Sequence, residues 1–556
     1  MTDTPQIPST SDTPASRTPA ADTPPGESPA LRMLPGGRSD EAPAQATAPQ
    51  QPAARLVELI AEHWHIAVDA ATGQVCAIDD RQVVRPLDDR ADEIAAAYWC
   101  DFGAVISPAV IRAATMTVAG LVAGTPAMSL VRRYGSDGDA VLVDLGDATG
   151  QVVRIDCHGW RLLDRSPMPL RRSALMLALP APERGGTIED LRAAFGPVGD
   201  DDWPLVLGWL VAATMADIPR PLLLVTGEQG TAKSTVARRV VDLLDPSQAP
   251  LRPPGGTARD WAATCMASAL IAIDNASHIS TEESDRWCRA VTGDSWAARR
   301  LRTDSAVIAA SFRRALVVTG IAPGPLRGDL ADRCVPIELQ PIDPATRLPE
   351  TQLAAEFAAA RPRLLGVIYD MVADVLDVLP HLEVFELPRM ADYGRILAAL
   401  DHMWGWHSLA RYRQRLTAIA TEVTDADPVA LAVAEFVASR RPAVWEGTAG
   451  ELLAALNAWR PSYERPPRGW PQTPSVLSRR LRQAAPALRA QGIDIDTPEP
   501  TGHDRRRILR LAVATASAEM PSAPPAPHQA DGADSADCRS AAADELWLDL
   551  DVGSES

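Results

Sequence analysis

The chain has 556 residues, 46% of them hydrophobic, and a formal net charge of −18 at pH 7. This length allows three or four domains, each with its own core. Much of the charge lies at the two ends: residues 1–50 carry −3 and residues 515–556 carry −8, which leaves −7 between them. This balance excludes a uniformly basic nucleic-acid-binding surface, but it does not exclude local basic patches.

The cysteines and the N-terminus favour a location in the cytosol. Seven scattered cysteines include no C-x-x-C pair, which argues against a disulfide framework or zinc ribbon and favours a reducing cytosol. The N-terminus is polar and proline-rich and has no signal-peptide pattern. Thr, Gly and Pro dilute the uncharged run from Ala113 to Val131, so we expect a buried helix and turn there, not a membrane span. A cytoplasmic protein without a membrane partner is expected.

Both ends of the chain are predicted to be disordered tails. Residues 1–52 are rich in proline and small polar residues, and they have too few large apolar side chains to form a core. Residues 514–556 are small, acidic and rich in Pro and Ala. Acidic and hydrophobic residues alternate from Glu545 to Asp551, a pattern that fits either a short docking motif or an inert tail.

Residues 53–185 are predicted to form a small α+β domain. Apolar residues recur with helical spacing from Ala54 onward, and β-rich runs follow at 75–86 and 139–165. The second run predicts a hairpin that turns at 148–150. We identify no catalytic chemistry and no primase signature in this domain, and a linker or oligomerisation role is open.

Residues 186–345 follow a strand-loop-helix pattern, which predicts an α/β core with a parallel sheet. Continuous apolar runs are typical of strands that helices cover on both faces. The predicted elements are an apolar helix at 203–216, strands at 222–226, 269–274 and 315–319, a helix at 234–244 and an outer strand at 335–339.

A glycine-bearing loop follows the first of these strands. Lys233 is the single lysine among the 54 basic residues of the chain. A compact ammonium fits among the backbone N–H groups of a phosphate-binding loop and reaches the β- and γ-phosphates, which a guanidinium does not easily do. The Ser234 hydroxyl is the expected Mg²⁺ ligand, and Ala232 stands where the pattern usually has glycine. ATP binding is therefore predicted, and the residues of this loop are Gly227, Glu228, Gln229, Gly230, Thr231, Ala232, Lys233, Ser234 and Thr235.

A second acidic element follows about 40 residues later. Asp274 ends an apolar strand and is expected to hold the Mg²⁺ shell, usually through water. The alternative is a strand-end aspartate that caps the next turn. Many motor ATPases place a glutamate directly after this aspartate, but here the residue is Asn275. An amide can orient water but cannot accept its proton, so hydrolysis is less secure than ATP binding.

Four elements together resemble a known group of proteins. They are Thr226–Thr235, Asp274–Asn275, Thr292–Asp294 and Leu330–Arg333, and they are similar to the ATPase module of superfamily 3 helicases. The nearer similarity is to primase-helicase-like ATP-binding proteins of bacterial mobile elements and phages. The resemblance covers about 190–345. It implies an AAA+-like P-loop NTPase core, a ring-shaped homo-oligomer (often a hexamer) and movement along single-stranded DNA.

The resemblance also implies roles for individual residues. Thr319, at the end of the third strand, would be the sensor of the attacking water, where the family typically has Asn. Arg333 would be the arginine finger that reaches the γ-phosphate of a neighbouring subunit. An ion pair with Asp329 or Asp332 is the alternative for Arg333.

Three arginines lie where these helicases place a DNA-contacting hairpin. Three arginines within four residues suit contacts with phosphates, and a solvated basic turn is the alternative. These residues are Arg299, Arg300 and Arg302.

Residues 346–427 are patterned as helices, including 356–379 and 389–400, and would form a helical lid region. Residues 428–513 resemble a winged-helix module with two helices and a two-stranded wing. Arginines outnumber acidic residues between 465 and 510, which favours DNA contact; a helical protein-interaction domain with a salt-bridged face is the alternative. The predicted recognition helix carries Arg479, Arg480 and Arg482.

Two functional hypotheses follow. The first is an ATP-hydrolysing, helicase-like DNA motor of a mobile-element replication system, which acts with Mg²⁺, DNA and a replication partner protein. The second is an ATP-dependent regulatory switch that binds DNA or a partner without unwinding; Asn275 and Thr319 favour it. A small-molecule kinase is disfavoured, because the helical region and the basic C-terminal module would have no purpose in such an enzyme.

Overall fold

Helices and β-sheets alternate along the chain in a mixed α/β fold, described here from a computed structural model. The predicted tails, apart from Gln51 and Pro52, lie outside the described residues, as do Arg300 and Arg302. The structure describes residues 51–299, 307–321, 326–459, 466–467, 470–496 and 508–513.

The N-terminal domain contains two four-stranded sheets. One sheet has the order β1-β2-β3-β8, and the other is an antiparallel meander, β4-β5-β6-β7. The predicted hairpin is present, because Val143 of β5 pairs with Val153 of β6. The elements are α1 Pro52–His63, β1 His65–Val68, β2 Val75–Ile78, β3 Val83–Pro86, α2 Ala91–Phe102, α3 Pro108–Leu121, β4 Tyr134–Asp137, β5 Ala140–Asp144, β6 Val152–Asp156, β7 Gly159–Leu163 and β8 Leu170–Arg171.

A five-stranded sheet forms the centre of the molecule, and all of its pairings are parallel, as predicted. Its order is β10-β11-β14-β9-β15, so β14 lies between the strand before the glycine loop and the strand before Asp274. The elements are α4 Ile188–Phe195, α5 Trp203–Thr214, β9 Leu222–Thr226, α6 Lys233–Leu244, β10 Leu251–Arg252, α7 Ala258–Ala267, β11 Leu270–Ile273, α8 Thr281–Thr292, β12 Asp294–Arg299, β13 Val307–Phe312, β14 Ala315–Thr319, α9 Gly328–Ala331 and β15 Cys334–Glu338.

The central strands β11, β14 and β9 are apolar except for the final threonines of β14 and β9, because both faces of the sheet are covered. Leu223 and Val317 pack with Val240 of α6 on one face. Leu224 and Val318 pack on the opposite face, against Trp287 and its neighbours in α8. Side chains therefore alternate between two cores, and the strands keep a fixed register that sets the positions of their carboxyl ends.

Three helices follow the sheet: α10 Glu350–Val378, α11 Ala391–Trp404 and α12 Ser408–Ala426. The predicted boundaries differ from these: α10 begins six residues earlier and ends one residue earlier, and α11 begins two residues later and ends four residues later than expected. Gly405 ends α11 in the left-handed region, at φ 69°, the usual way for a helix to stop. Within the described residues, each helix falls short of the length or the apolar character that a membrane span requires.

The C-terminal domain has a three-stranded antiparallel sheet, β16-β18-β17, where the sequence predicted a two-stranded wing. Thr473 caps α15 by accepting a 3.4 Å hydrogen bond from the Val476 N–H, as its position before Pro474 predicted. The winged-helix assignment stays a prediction. The elements are α13 Pro428–Ala438, β16 Val444–Thr448, α14 Ala449–Trp459, α15 Pro474–Ala490, β17 Ile493–Asp496 and β18 Ile508–Val513.

Candidate functional site

The glycine-bearing loop joins β9 to α6, and its backbone conformation requires glycine at two positions. Gly227 has φ 145° and Gly230 has φ 84°, which are values that L-residues rarely adopt. A β-carbon on Gly227 would also lie 2.9 Å from the Thr231 hydroxyl and 3.0 Å from the Leu339 carbonyl oxygen. The loop therefore closes tightly at its first residue.

The loop leaves the start of α6 without a side-chain cap. Ala232 precedes the helix and makes no capping hydrogen bond, whereas α7 and α8 begin with capping boxes, Thr257 with Asp260 and Ser280 with Glu283. The first backbone N–H groups of α6 therefore have no capping side chain and are available for a ligand. Ala232 has φ 62°, and a left-handed alanine costs about 1 kcal/mol, which glycine would avoid.

Lys233, the first residue of α6, folds back over the loop. Its Nζ donates to the carbonyl oxygens of Gly227 at 2.9 Å and Glu228 at 2.6 Å. Partial burial lowers the pKa of the Lys233 ammonium, and the charge of Asp274 opposes this effect. The ammonium thus rests on neutral carbonyls at the loop and can exchange them for an anion.

Three predicted residues meet at the carboxyl ends of β11 and β14. The Ser234 hydroxyl donates to the two carboxylate oxygens of Asp274, at 2.8 and 3.0 Å. The Thr319 hydroxyl donates to Asp274 Oδ1 at 2.5 Å and accepts from the Asn275 N–H at 2.9 Å. Thr319 is buried, with 1% of its surface exposed, so it fixes the carboxylate from behind while Ser234 contacts it from the helix.

The donor set of this cluster fits Mg²⁺. A serine hydroxyl and a carboxylate are oxygen ligands of the kind that Mg²⁺ prefers, and Mg²⁺ usually takes its remaining ligands from water and phosphate. Within the described part of the chain, no group of three or more His, Cys, Asp and Glu side chains could hold a metal ion alone. A Mg²⁺ ion at Ser234 and Asp274 would take its remaining ligands from outside these two side chains.

Asn275 directly follows Asp274 and is exposed. It adopts φ 62°, a left-handed value that asparagine tolerates better than most residues. Its carboxamide replaces the carboxylate that would act as a general base, so the arrangement can position water but supplies no base at this residue.

A cleft of about 1370 Å³ opens beside the loop. Gly230, Ala232 and Thr235 form part of its wall, and segments before β9, after β15 and in the helical region form the rest. The cleft is large enough for a nucleoside and carries both signs of charge. Its charged lining residues include Arg192, Arg239, Arg347, Arg363, Arg411, Arg415, Asp200, Asp201, Asp202 and Glu356.

Arg333 does not lie at the loop of its own chain. In the parallel pairing of β15 with β9, Cys334 is opposite Leu222 and Glu338 is opposite Thr226. Arg333 therefore lies at the amino ends of the strands, about 20 Å from the loop along the strand direction. Its guanidinium is paired with the Asp329 carboxylate and donates to the Asp329 carbonyl at 2.7 Å, which is the ion pair named as the alternative.

The predicted DNA-contacting arginines lie on two separate elements where the structure describes them, and two of them are not described. Arg299 is the last residue of β12, which pairs with β13 in an antiparallel hairpin; Arg300 and Arg302 lie outside the described residues. Arg479 and Arg482 are exposed on α15.

Arg480, which lies between Arg479 and Arg482 on the predicted recognition helix, makes contacts within the domain. It donates at 2.8 Å to Asp427, and the same carboxylate oxygen accepts from the Val429 N–H at the start of α13. Only 22% of the Arg480 side chain is exposed. Arg480 therefore joins two helices of the C-terminal domain.

The sequence reasoning missed the arginines of the cleft. Arg347 lies against the loop, with Nη2 3.7 Å from the position that a β-carbon would take on Gly230. The signal that could have found it is its place a few residues after the outer strand, since a parallel strand there ends at the same edge of the sheet as the strand before the loop.

These features define an α/β protein in which a glycine loop, an uncapped helix and a hydroxyl–carboxylate pair meet at the carboxyl edge of a parallel sheet. The model of the "Actinomycete integrative conjugative element replication protein" family matches residues 198–422, and that of the "AICE RepA C-terminal domain" matches residues 429–526. Together the two models cover more than half of the chain. The chain belongs to this family of mobile-element replication proteins, in line with the resemblance found in the sequence.

Solved structures show weaker likenesses. The C-terminal region of NrS-1 in its apo form has 11% identity over 84% of this chain and all of that chain, with a TM-score of 0.38. The structure titled "SCCmec type IV Cch - active helicase" has 13% identity over 81% of this chain and 93% of that chain, with a TM-score of 0.42. TM-scores below 0.5 support no conclusion about activity. A comparison with curated protein sequences finds no significant match.

Proposed function

We propose that this replication protein binds ATP with Mg²⁺ at residues 227–235 and uses its hydrolysis to drive a helicase-like movement on DNA. The observation that carries the proposal is the meeting of Lys233, Ser234 and Asp274 at the start of one uncapped helix. An ordinary glycine turn would need neither a lysine nor a hydroxyl–carboxylate pair at that position.

The residues of the loop would act on the triphosphate in distinct ways. The backbone N–H groups at the head of α6 would donate to phosphate oxygens, and the helix dipole would favour their negative charge. Lys233 would leave the carbonyls of Gly227 and Glu228 and bind the β- and γ-phosphates. Mg²⁺, held by Ser234 and Asp274, would neutralise charge on the same phosphates. The adenosine would occupy the adjacent cleft.

Hydrolysis would need a second chain. Arg333 lies at the edge of the sheet opposite its own loop, so it could stabilise the γ-phosphate charge only in a neighbouring subunit. This requirement supports a homo-oligomeric ring in which each site is completed in trans. Asn275 and Thr319 would orient the attacking water, with no carboxylate base at position 275.

DNA binding would use basic groups of two modules. The β12–β13 hairpin carries Arg299 at its end, and the sequence continues with Arg300 and Arg302. Arg479 and Arg482 present guanidinium groups from α15. Phosphate contacts of this kind give sequence-independent affinity, which suits single-stranded DNA handled by a motor. The C-terminal domain would contact DNA or a replication partner protein.

A second candidate function is an ATP-dependent switch that changes assembly or DNA affinity without unwinding. Asn275 favours it, because the amide cannot accept a proton from the attacking water. In that case ATP binding alone would stabilise one arrangement of the chain.

Turnover of ATP by the purified full-length protein, with and without single-stranded DNA, tests the proposal. DNA-stimulated hydrolysis and strand displacement, both lost in the Lys233→Ala variant, would support the motor. Tight ATP binding without turnover would support the switch. No magnesium-dependent ATP binding would contradict both functions.

A further inference from the structure

One arginine outside the predicted site lies directly against the glycine loop. Arg347 Nη2 is 3.7 Å from the position of a β-carbon on Gly230, and the Arg347 side chain is exposed to the cleft beside it. Within the part of the chain that the structure describes, Arg347 makes no hydrogen bond or ion pair. It is therefore a free cation next to the loop.

The backbone around Arg347 is held in place on both sides. Leu339 N–H donates to the Thr226 carbonyl at 2.9 Å, which ties the start of the segment to β9. Asp343 then caps a short 3₁₀ turn by accepting from the Ala345 N–H at 2.9 Å, and Pro349 precedes α10. The position of Arg347 over the loop thus follows from the fold and does not depend on a long, unsupported segment.

The charges around Arg347 indicate an anionic ligand. The ammonium of Lys233 and the uncapped start of α6 place positive charge at the loop, and Arg347 adds a guanidinium beside Gly230, so an anion bound by the loop would meet cations from both. Three other arginines of the cleft have acidic partners: Arg192 with Asp200 at 2.6 Å, Arg411 with Asp201 at 3.3 Å, and Arg415 with Asp202 at 2.5 Å. Arg363 also lines the cleft without such a partner among the described residues, but Arg347 is the arginine that lies against Gly230 of the loop.

We propose that Arg347 binds the phosphates of the nucleotide held by the loop of its own chain. This inference rests on the proposed ATP site and adds a residue to it. A guanidinium can donate two parallel hydrogen bonds to phosphate oxygens, and Arg347 is placed to do so from the outer side of the loop at Gly230. It acts in the same subunit, whereas Arg333 is predicted to act across a subunit boundary.

Calorimetry on the full-length protein tests this role with Mg-ATP and with adenosine as separate ligands. Arg347→Ala should weaken Mg-ATP binding by about 10-fold or more, the range of a charged hydrogen bond, and should leave adenosine affinity unchanged. Arg347→Lys should restore part of the loss. Arg238→Ala, which removes an exposed arginine from α6 outside the cleft, is the matched control and should bind as wild type.

Two results would overturn the inference. One is Mg-ATP affinity in Arg347→Ala within twofold of wild type; the other is an equal loss of ATP and adenosine affinity, which would place Arg347 at the nucleoside and not at the phosphates. Failure of the proposed ATP site itself is distinguishable, because the wild-type protein would then bind no Mg-ATP. Thermal melting of each variant checks that the loss is not one of folding.

Discussion

The Ser234 hydroxyl donates to both carboxylate oxygens of Asp274, at 2.8 and 3.0 Å, although the two residues are 40 positions apart. The contact joins the first turn of α6 to the carboxyl end of β11. A helix start that binds phosphate and a strand end that binds a metal are thereby brought within reach of one ligand.

Asp274→Asn should remove the magnesium response of ATP binding. Asparagine keeps an acceptor for Ser234 and Thr319 but loses the negative charge that a Mg²⁺ ion needs, so Mg²⁺ should no longer strengthen ATP binding. We expect a loss of about 10-fold or more in the presence of Mg²⁺ and little change in EDTA, measured by calorimetry in both buffers. Asp285→Asn, at an exposed aspartate paired with Arg327, is the control. An unchanged magnesium response in Asp274→Asn would leave only a structural role at the strand end.

Ala232→Gly should raise the thermal midpoint and retain ATP binding. The left-handed φ of 62° at this position is strained for alanine and free of strain for glycine, and the relief should exceed the entropic cost of glycine. Ala358→Gly, on an exposed face of α10, should lower the midpoint instead, because glycine in an ordinary helix costs about 1 kcal/mol. Equal destabilisation by both variants would show that residue 232 is not left-handed in solution.

Arg333 should act on the nucleotide of a neighbouring chain. Arg333→Ala and Lys233→Ala should each bind DNA but lack ATP turnover, and a mixture of the two should regain part of it. In a mixed oligomer, one chain supplies the intact loop and its neighbour supplies the intact arginine. Steady-state phosphate release measures the recovery.

The control is a mixture of Lys233→Ala with a chain that carries both Lys233→Ala and Arg333→Ala. This mixture should recover no ATP turnover, because neither chain has an intact loop. No recovery in the first mixture, with mixed oligomers verified by light scattering, would contradict the role in trans. The ion pair with Asp329, which also contacts Arg389 at 3.2 Å, would then be the function of Arg333.

Arg479, Arg480 and Arg482 of α15 should separate into two groups. Replacing exposed Arg479 and Arg482 by alanine should weaken DNA binding. It should also reduce the slope of log binding constant against log salt concentration by about 1.4 for single-stranded DNA, if each arginine contacts one phosphate. Arg480→Ala should instead lower the thermal midpoint, because it removes the partner of Asp427 at the start of α13. Fluorescence anisotropy at several salt concentrations checks the first effect, and melting checks the second. The assignment would be reversed if Arg480→Ala melted at the wild-type temperature and lost more DNA affinity than the Arg479 and Arg482 variants.

The central sheet could be predicted because its signal is local. The run Leu222–Thr226 and the run Ala315–Thr319 are strands at the predicted residues, since strands buried on both faces read as continuous apolar stretches. The loop and Asp274 could be placed at one edge because carboxyl ends of parallel strands share an edge. By contrast, β10 is only two residues long, Leu251–Arg252, which is too short to leave a periodic pattern.

Other features depend on contacts between distant parts of the chain. Arg480 and Asp427 are 53 residues apart, and nothing in their local sequence distinguishes Arg480 from the exposed Arg479 and Arg482. Arg347 and Gly230 likewise meet only because β15 lies next to β9 in the sheet. The sequence predicted which residue types the site contains, whereas the pairing of individual side chains required the fold.

The proposed ATP site is tested most directly by calorimetry of Mg-ATP binding to the full-length wild-type protein and to Lys233→Ala. Wild type should bind one Mg-ATP per chain, and the alanine variant should bind it at least about 100-fold more weakly, because it lacks the ammonium that meets the β- and γ-phosphates. Equal affinity of the two proteins, or no detectable binding by wild type, would contradict the account.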